Sequence, residues 1–321
     1  IRGRLFKIAI IFRFKQLFVF LLFSSIFLLI SASLPFVSNG SDATVGQFPS
    51  QVTVRNLFKG HPDNNYVICG GAIITAEKIL SAAHCFKTKN VITRPKYLQV
   101  VVGSTDLWEA RDELRYRIQK LFVHPQYTEV PSYFDLAVLI VERKIEFISH
   151  FVEPINLPTT NHIFVPRENV TIVGWGKVHP NRRLSSKLQF AVVQVQSYES
   201  CLHVLHPNPE LMICAGSKGT QSTKGDSGGP LIHNNSLVAV VSFGASDPSS
   251  YYPSTYIKVY PAKKWIKNPK ETFYVRSWLN IYVGFMISLI LYSCLIIGIF
   301  IVRRDFSLYA SLAYSINFDV H

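Results

Sequence analysis

Three short stretches carry residues that can do chemistry. The first is Gly225-Asp226-Ser227-Gly228-Gly229-Pro230, in which a hydroxyl sits inside a glycine-rich turn. Glycines let such a turn bend sharply and bring the backbone close to a substrate, so the amides of Gly225 and Ser227 can point at one oxygen. The second is Ser81-Ala82-Ala83-His84-Cys85, and the third is Phe134-Asp135-Leu136-Ala137-Val138-Leu139. Acyl transfer by a hydroxyl needs a base for its proton, a carboxylate to orient that base, and donors for the developing oxyanion. Ser227, His84, Asp135 and the Gly225 and Ser227 amides offer one candidate for each part. Each stretch also has a plainer reading: a loop, a structural histidine, and a solvated residue at a strand end. Asp226, in a stretch that reads as buried, calls for a cationic partner.

The elements that must position these residues are mostly strands. From 37 to 270, short β-branched and aromatic runs recur: QVTVRNLF, KYLQVVVG, FDLAVLIV, NVTIVGWG, LQFAVVQVQ, SLVAVVSFG and STYIKVY. Turn-forming clusters such as HPDNN, HPNPE and SDPSS separate them. This pattern predicts an all-β domain, a sandwich or a barrel. Ala262 to Pro269 reads as a short terminal helix.

Two apolar runs flank that domain. Five basic residues precede Leu17 to Ile30, and Ser31-Ala32-Ser33 follow, so residues 1–33 read as a secretory signal peptide. An uncleaved membrane anchor is the other reading. The second run, Ile281 to Val302, has 22 residues and no charge, enough to cross about 30 Å of hydrocarbon. Arg303 and Arg304 follow it and favour the cytoplasmic side. The expected layout is thus a β domain at 37–270, a linker at 271–280, a transmembrane helix at 281–302 and a cytoplasmic tail at 303–321. That is a single-pass type I membrane protein with the β domain extracellular or lumenal. The sequence starts at Ile1, and its only methionines are Met212 and Met286. It is therefore read as a fragment, or as carrying translated upstream sequence before about Lys15.

The formal charge is +13, and setting aside the five basic residues before Ser33 leaves +8. The basic residues are scattered rather than interleaved with aromatics, which argues against nucleic-acid binding and for a solvated, mildly basic surface. Cys69, Cys85, Cys201 and Cys214 lie outside the apolar runs, and Cys294 lies inside the second. Four cysteines in a secreted context are expected to pair, and spacing alone leaves three connectivities open. No close Cys/His pattern of the zinc type is present, so no metal and no cofactor are expected. N-x-S/T sites at Asn39, Asn169 and Asn234 suit glycosylation.

Taken together, SAAHC, DLAVL and GDSGGP in that order resemble the trypsin/chymotrypsin-like serine proteases. The resemblance runs from about Val37 to Trp265 and includes GQFPSQV, CGGAII at Cys69 to Ile74, GWG at Gly174 to Gly176, and VSFG at Val241 to Gly244. It implies two six-stranded antiparallel β-barrels with the active site in the cleft between them. It implies Ser227 as nucleophile, His84 as general base and acid, Asp135 as the group that orients His84, and Gly225 and Ser227 as the oxyanion hole. Ser242, Phe243 and Gly244 would pair with the substrate backbone as an added strand. Cys69 would bridge Cys85, and Cys201 would bridge Cys214. Protein or peptide substrates and an activating protease are the implied partners.

Three departures bear on what is cut and when. Many relatives carry a cysteine where Thr223 stands, bridged to one near Asp247, and both are absent here. Gln221 stands where the trypsin subgroup has Asp, and Ser254 where many relatives have Gly. An uncharged pocket disfavours substrate Lys or Arg, because an unpaired buried cation is costly. The matching activation junction puts Phe36 before Val37, and no Lys or Arg lies between Lys15 and Arg55. A trypsin-like activator has no site there, so a different protease, a vestigial propeptide, or another cation for Asp226 must be considered. The alternative to an endopeptidase is a non-catalytic homologue, a membrane-tethered binding or regulatory module. Such homologues usually lose a triad member, and none is lost here.

Overall fold

The computed structural model describes residues 40–57, 66–88, 91–108, 111–177, 183–201, 208–217, 219–244, 252–270, 284–297 and 299. Residues 1–269 and 270–321 form two units.

In the first unit, six strands close into a barrel. They are β2 (Gln51–Asn56), β3 (Tyr66–Thr75), β4 (Lys78–Ser81), β7 (Leu98–Val102), β8 (Arg115–Val123) and β9 (Ala137–Val141). The antiparallel order around the barrel is β2-β3-β4-β9-β8-β7, and β7 returns to β2. A two-stranded ribbon, β5 (Lys87–Thr88) with β6 (Val91–Ile92), stands apart. Alternation along each strand fills the barrel. Val52 and Val54, Leu98, Val100 and Val102, and Ala137, Leu139 and Val141 all face its core.

The second half is one seven-stranded sheet in the order β1-β11-β10-β13-β14-β15-β12. Its strands are β1 (Ser41–Asp42), β10 (Asn169–Gly174), β11 (Gln189–Gln194), β12 (Met212–Ala215), β13 (Pro230–His233), β14 (Ser236–Phe243) and β15 (Ser254–Lys258). The expected double barrel is thus present in part: the first barrel closes, and the second is an open seven-stranded sheet rather than six strands. β12 is only four residues long and meets the chain just after β11 at a single bridge, Val195 to Ala215. The backbone bonds Gln196 N–H to Cys214 O (2.8 Å) and Gly216 N–H to Gln194 O (3.0 Å) extend that meeting without a continuous ladder. The sheet therefore curls almost onto itself and stays open.

The residues that alternate with the barrel interior build a third cluster. Ala72, Leu80, Leu136 and Val138 from one half pack with Leu237, Val240 and Ile257 from the other. The short helix α1 (Lys263–Lys267) adds Ile266 to it. Strands apolar on both faces thus bury one face in their own half and the other between the halves.

In the second unit, residues 284–297 form a helix, α2, with exposed side chains, and Cys294 on it is a free thiol. Among the described residues no helix is long and apolar enough to cross a membrane. Residues 281–283, 298 and 300–302 of the expected span lie outside the described residues, as do 1–39 with Val37 and Asn39, the linker 271–280 and the tail 303–321.

Candidate active site

His84 lies in a short 3-10 turn, Ala83–Cys85, directly after β4. Ala82 and Ala83 before it are fully buried, and Cys85 after it is bridged to Cys69 in β3. The ring is thus fixed from both sides, and its side chain stays 33% exposed.

Asp135 sits two residues before β9 and is 1% exposed. Its Oδ1 accepts the His84 backbone N–H at 2.8 Å, and its Oδ2 accepts the His84 Nδ1–H at 2.7 Å. The Ser242 hydroxyl also donates to Oδ2. Burial works against a charged imidazole, but the hydrogen bond and the charge of Asp135 more than offset it. The net effect raises the His84 pKa above its ordinary value. The preceding Phe134 stacks on the His124 ring, with centroids 4.4 Å apart, and Trp265 meets that ring edge-on at 4.6 Å. Burial pushes the His124 pKa down to about 4, so a neutral aromatic stack supports the turn that presents Asp135.

Ser227 lies in the turn that opens β13. The turn is tied to the barrel, because Gly70 N–H of β3 donates to Ser227 O at 2.8 Å. Only glycine fits at 228: its φ is +79°, and a Cβ there would fall 2.3 Å from Ser81 Oγ and 2.5 Å from Gly70 O. Neither the Gly225 nor the Ser227 amide donates to another described residue. Ser227 and His84 line the same cleft, of about 470 Å³, with Lys177, Ser242, Phe243 and Gly244. The Ser227 hydroxyl makes no hydrogen bond among the described residues. Catalytic hydrogen bonds of this kind often tighten only in the Michaelis complex.

Asp226 points the other way, into the protein, and is 3% exposed. Its Oδ1 accepts Gly176 N–H at 2.7 Å, and its Oδ2 accepts Thr223 N–H at 2.8 Å and the Thr223 hydroxyl at 3.1 Å. Among the described residues these donors, rather than a cation, satisfy it. Burial raises the Asp226 pKa and outweighs the lowering by the Thr223 and Gly176 amides and the Thr223 hydroxyl. The register explains the meeting. β10 pairs with β13 (Ile172 with Leu231), so the chain leaving β10 through Gly174-Trp175-Gly176 passes beside the turn leading into β13. A Cβ on Gly176 would lie 2.1 Å from Asp226 Oδ2, which accounts for the glycine there.

The remaining expected positions divide. Ser242, Phe243 and Gly244 line the cleft with Ser222 and Thr223, whereas Gln221 (1% exposed) and Ser254 (fully buried) are buried next to lining residues. Ser254 Oγ donates to Ser222 O at 3.2 Å and would lie 2.4 Å from a Cβ on Gly244. Ser254 and Gly244 therefore back one another on one wall. Residues 245–250, with the neighbourhood of Asp247, lie outside the described residues. Both bridges form as the resemblance implies, Cys69–Cys85 and Cys201–Cys214. The cysteines near His84 are thus oxidised to a disulfide and are not thiolate metal ligands. Asn169 and Asn234 are exposed.

Sequence reasoning missed three features. The sequence marks Ser242 only as a substrate contact, yet its hydroxyl reaches Asp135. The sequence marks Thr223 as the place of a lost bridge, yet it supplies two donors to Asp226. Lys177 and Lys224 enter the cleft from separate segments joined by Lys177 N–H to Lys224 O at 2.9 Å. Only the serine beside the family's Phe-Gly pair had a local signal.

The trypsin family model matches residues 37–266, and the chain belongs to that family of serine endopeptidases. It is 32% identical over 240 residues to transmembrane protease serine 9 of Rattus norvegicus, a match covering 72% of this chain but 22% of that protein. It is 30% identical to trypsin 5G1 of Aedes aegypti and 30% identical to the vitellin-degrading protease of Bombyx mori. Each of those two matches covers 72% of this chain and 84% of the relative.

Proposed function

We propose that the chain is a membrane-tethered serine endopeptidase working through Ser227, His84 and Asp135. The observation that carries this reading is the doubly held carboxylate. Asp135, buried, accepts both the His84 amide and the ring Nδ1–H, which leaves Nε2 as the basic nitrogen in the cleft that Ser227 also lines. In the first step the Ser227 oxygen attacks the substrate carbonyl and its proton passes to His84 Nε2. The Gly225 and Ser227 amides stabilise the oxyanion, and Asp135 stabilises the imidazolium. His84 then gives the proton to the leaving amine, leaving an acyl-enzyme. In the second step water attacks the ester, with His84 again taking and returning a proton.

The specificity reading follows from charge. Gln221 brings no carboxylate, Ser254 and Gly244 shape a neutral wall, and Lys177 and Lys224 add positive charge at the cleft. Substrate Lys or Arg before the cut therefore meets no counter-charge. On a peptide library, the activated enzyme is expected to cleave after aromatic or uncharged polar residues and to disfavour Lys and Arg. Cleavage should vanish in Ser227→Ala. A strong basic preference would overturn the pocket reading, and cleavage retained by Ser227→Ala would overturn the nucleophile.

The 22-residue apolar run and Arg303-Arg304 support a type I anchor with the protease domain outside or in the lumen. The name of the rat relative also carries a transmembrane label. A protease that cuts after Phe36 would free Val37 for Asp226, and Asn39, Asn169 and Asn234 would carry glycans.

A further inference from the structure

A second cluster of chemistry-bearing side chains lies on the open sheet. His162 precedes β10 in the chain, Glu168 stands immediately before its first residue, and His233 ends β13. His162 Nε2 lies 2.6 Å from Glu168 Oε1, and His233 Nε2 lies 3.1 Å from the same oxygen. One ligand atom from each residue falls within 4.8 Å of the others. The two rings are stacked at 5.2 Å, with Phe164 edge-on to both as an apolar wall.

We propose that His162, Glu168 and His233 bind a divalent transition-metal ion, zinc best matching the ligand set. Two imidazoles and one carboxylate suit zinc, whose bonds of about 2.0–2.2 Å set neighbouring ligand atoms roughly 3.3 Å apart in a tetrahedron. The His233–Glu168 spacing of 3.1 Å is near that already, the His162–Glu168 spacing of 2.6 Å is tighter and would open as an ion enters, and the two imidazole nitrogens lie within 4.8 Å of one another. The surrounding contacts also hold the ligands in the required form. His233 Nδ1–H donates to Asn169 O at 3.1 Å, which leaves the Nε2 lone pair facing the cluster. Glu168 Oε2 accepts Val165 N–H at 3.1 Å, which leaves Oε1 for the ion. Asn234 Nδ2 lies 2.9 Å from His233 Nε2, and an ion would take its place. His162 is the most exposed of the three, at 44%, and gives a path for entry and for a water as fourth ligand. Sequence spacing concealed the site, because His233 comes from a distant strand.

The placement gives the ion a structural task. β13 begins directly after the Ser227 turn and ends at His233. β10 begins after Glu168 and leads through Gly174 to Gly176, whose N–H holds Asp226. An ion would clamp the far ends of the two paired strands that carry the turn and its support.

The test is titration of the full chain in detergent, stripped with chelator, using Zn²⁺ by calorimetry and Co²⁺ by visible absorption. We expect one saturable site, a tetrahedral Co²⁺ band, and a rise in thermal midpoint with Zn²⁺. His162→Ala and the isosteric Glu168→Gln should each weaken binding by at least about tenfold. Absence of saturable binding, or binding undiminished in both variants, overturns the proposal. So does binding lost in His84→Ala but kept in His162→Ala, which would place the ion at the catalytic histidine.

Discussion

Asp135→Asn is expected to lower kcat/KM by about 10⁴-fold, the loss a wrong imidazole tautomer produces in Ser-His-Asp catalysis. The carboxylate accepts at both oxygens, from the His84 amide and from the ring Nδ1–H. An amide keeps one acceptor oxygen and places a donor where the other stood. If the NH₂ group faces Nδ1, the ring must turn its proton to Nε2, which can then no longer accept the proton of the Ser227 hydroxyl. The pH profile should move as well. With Asp135 present, the His84 pKa is raised, and the base is competent only above it, so the acidic limb of kcat/KM lies above about 6.5. Without the charge and that hydrogen bond, burial is left to act alone, and the residual limb should shift to lower pH. Initial rates across pH on one peptide substrate check both effects. An unshifted limb would mean that Asp135 does not govern His84.

Asp226→Ala should damage both stability and rate. It leaves Gly176 N–H, Thr223 N–H and the Thr223 hydroxyl without their acceptor, in a region that is buried. A buried unsatisfied donor costs about 1–3 kcal/mol, so a loss of about 2–5 kcal/mol is expected after partial relaxation. The turn loses its anchor at the same time. Misaligned Gly225 and Ser227 amides should lower kcat by about 10²–10³-fold, the scale for losing an oxyanion donor. Urea midpoints and kcat measured on the same preparation check this. A variant with unchanged stability and rate would show that the carboxylate does not support the turn.

The strands that read clearly from sequence were those with apolar β-branched runs. QVTVRNLF, KYLQVVVG, FDLAVLIV and SLVAVVSFG correspond to β2, β7, β9 and β14. β8 did not read as a strand, because Arg115 and Arg117 leave only alternate apolar residues at its start and a register shift between Ile118 and Lys120 then breaks the alternation. β12 and β13 are four residues each, too short for a periodic signal. The architecture came through motif order rather than periodicity, and motif order says nothing of closure, which depends on how far β12 runs beside the chain after β11. His84 and Asp135, which the structure joins, each sit in a distinctive local string, as does Ser227. The Ser242 hydroxyl on Asp135, the Thr223 donors and the His162–Glu168–His233 cluster were not, because each depends on segments joined only by the fold.

The most direct measurement is labelling of the activated chain with a fluorophosphonate, combined with N-terminal sequencing and mapping of the modified residue. Covalent label on Ser227 of a Val37-started, folded chain, abolished in Ser227→Ala, is the predicted result. A folded, Val37-started chain that takes no label would contradict the account and make the protein a binding module on a protease fold.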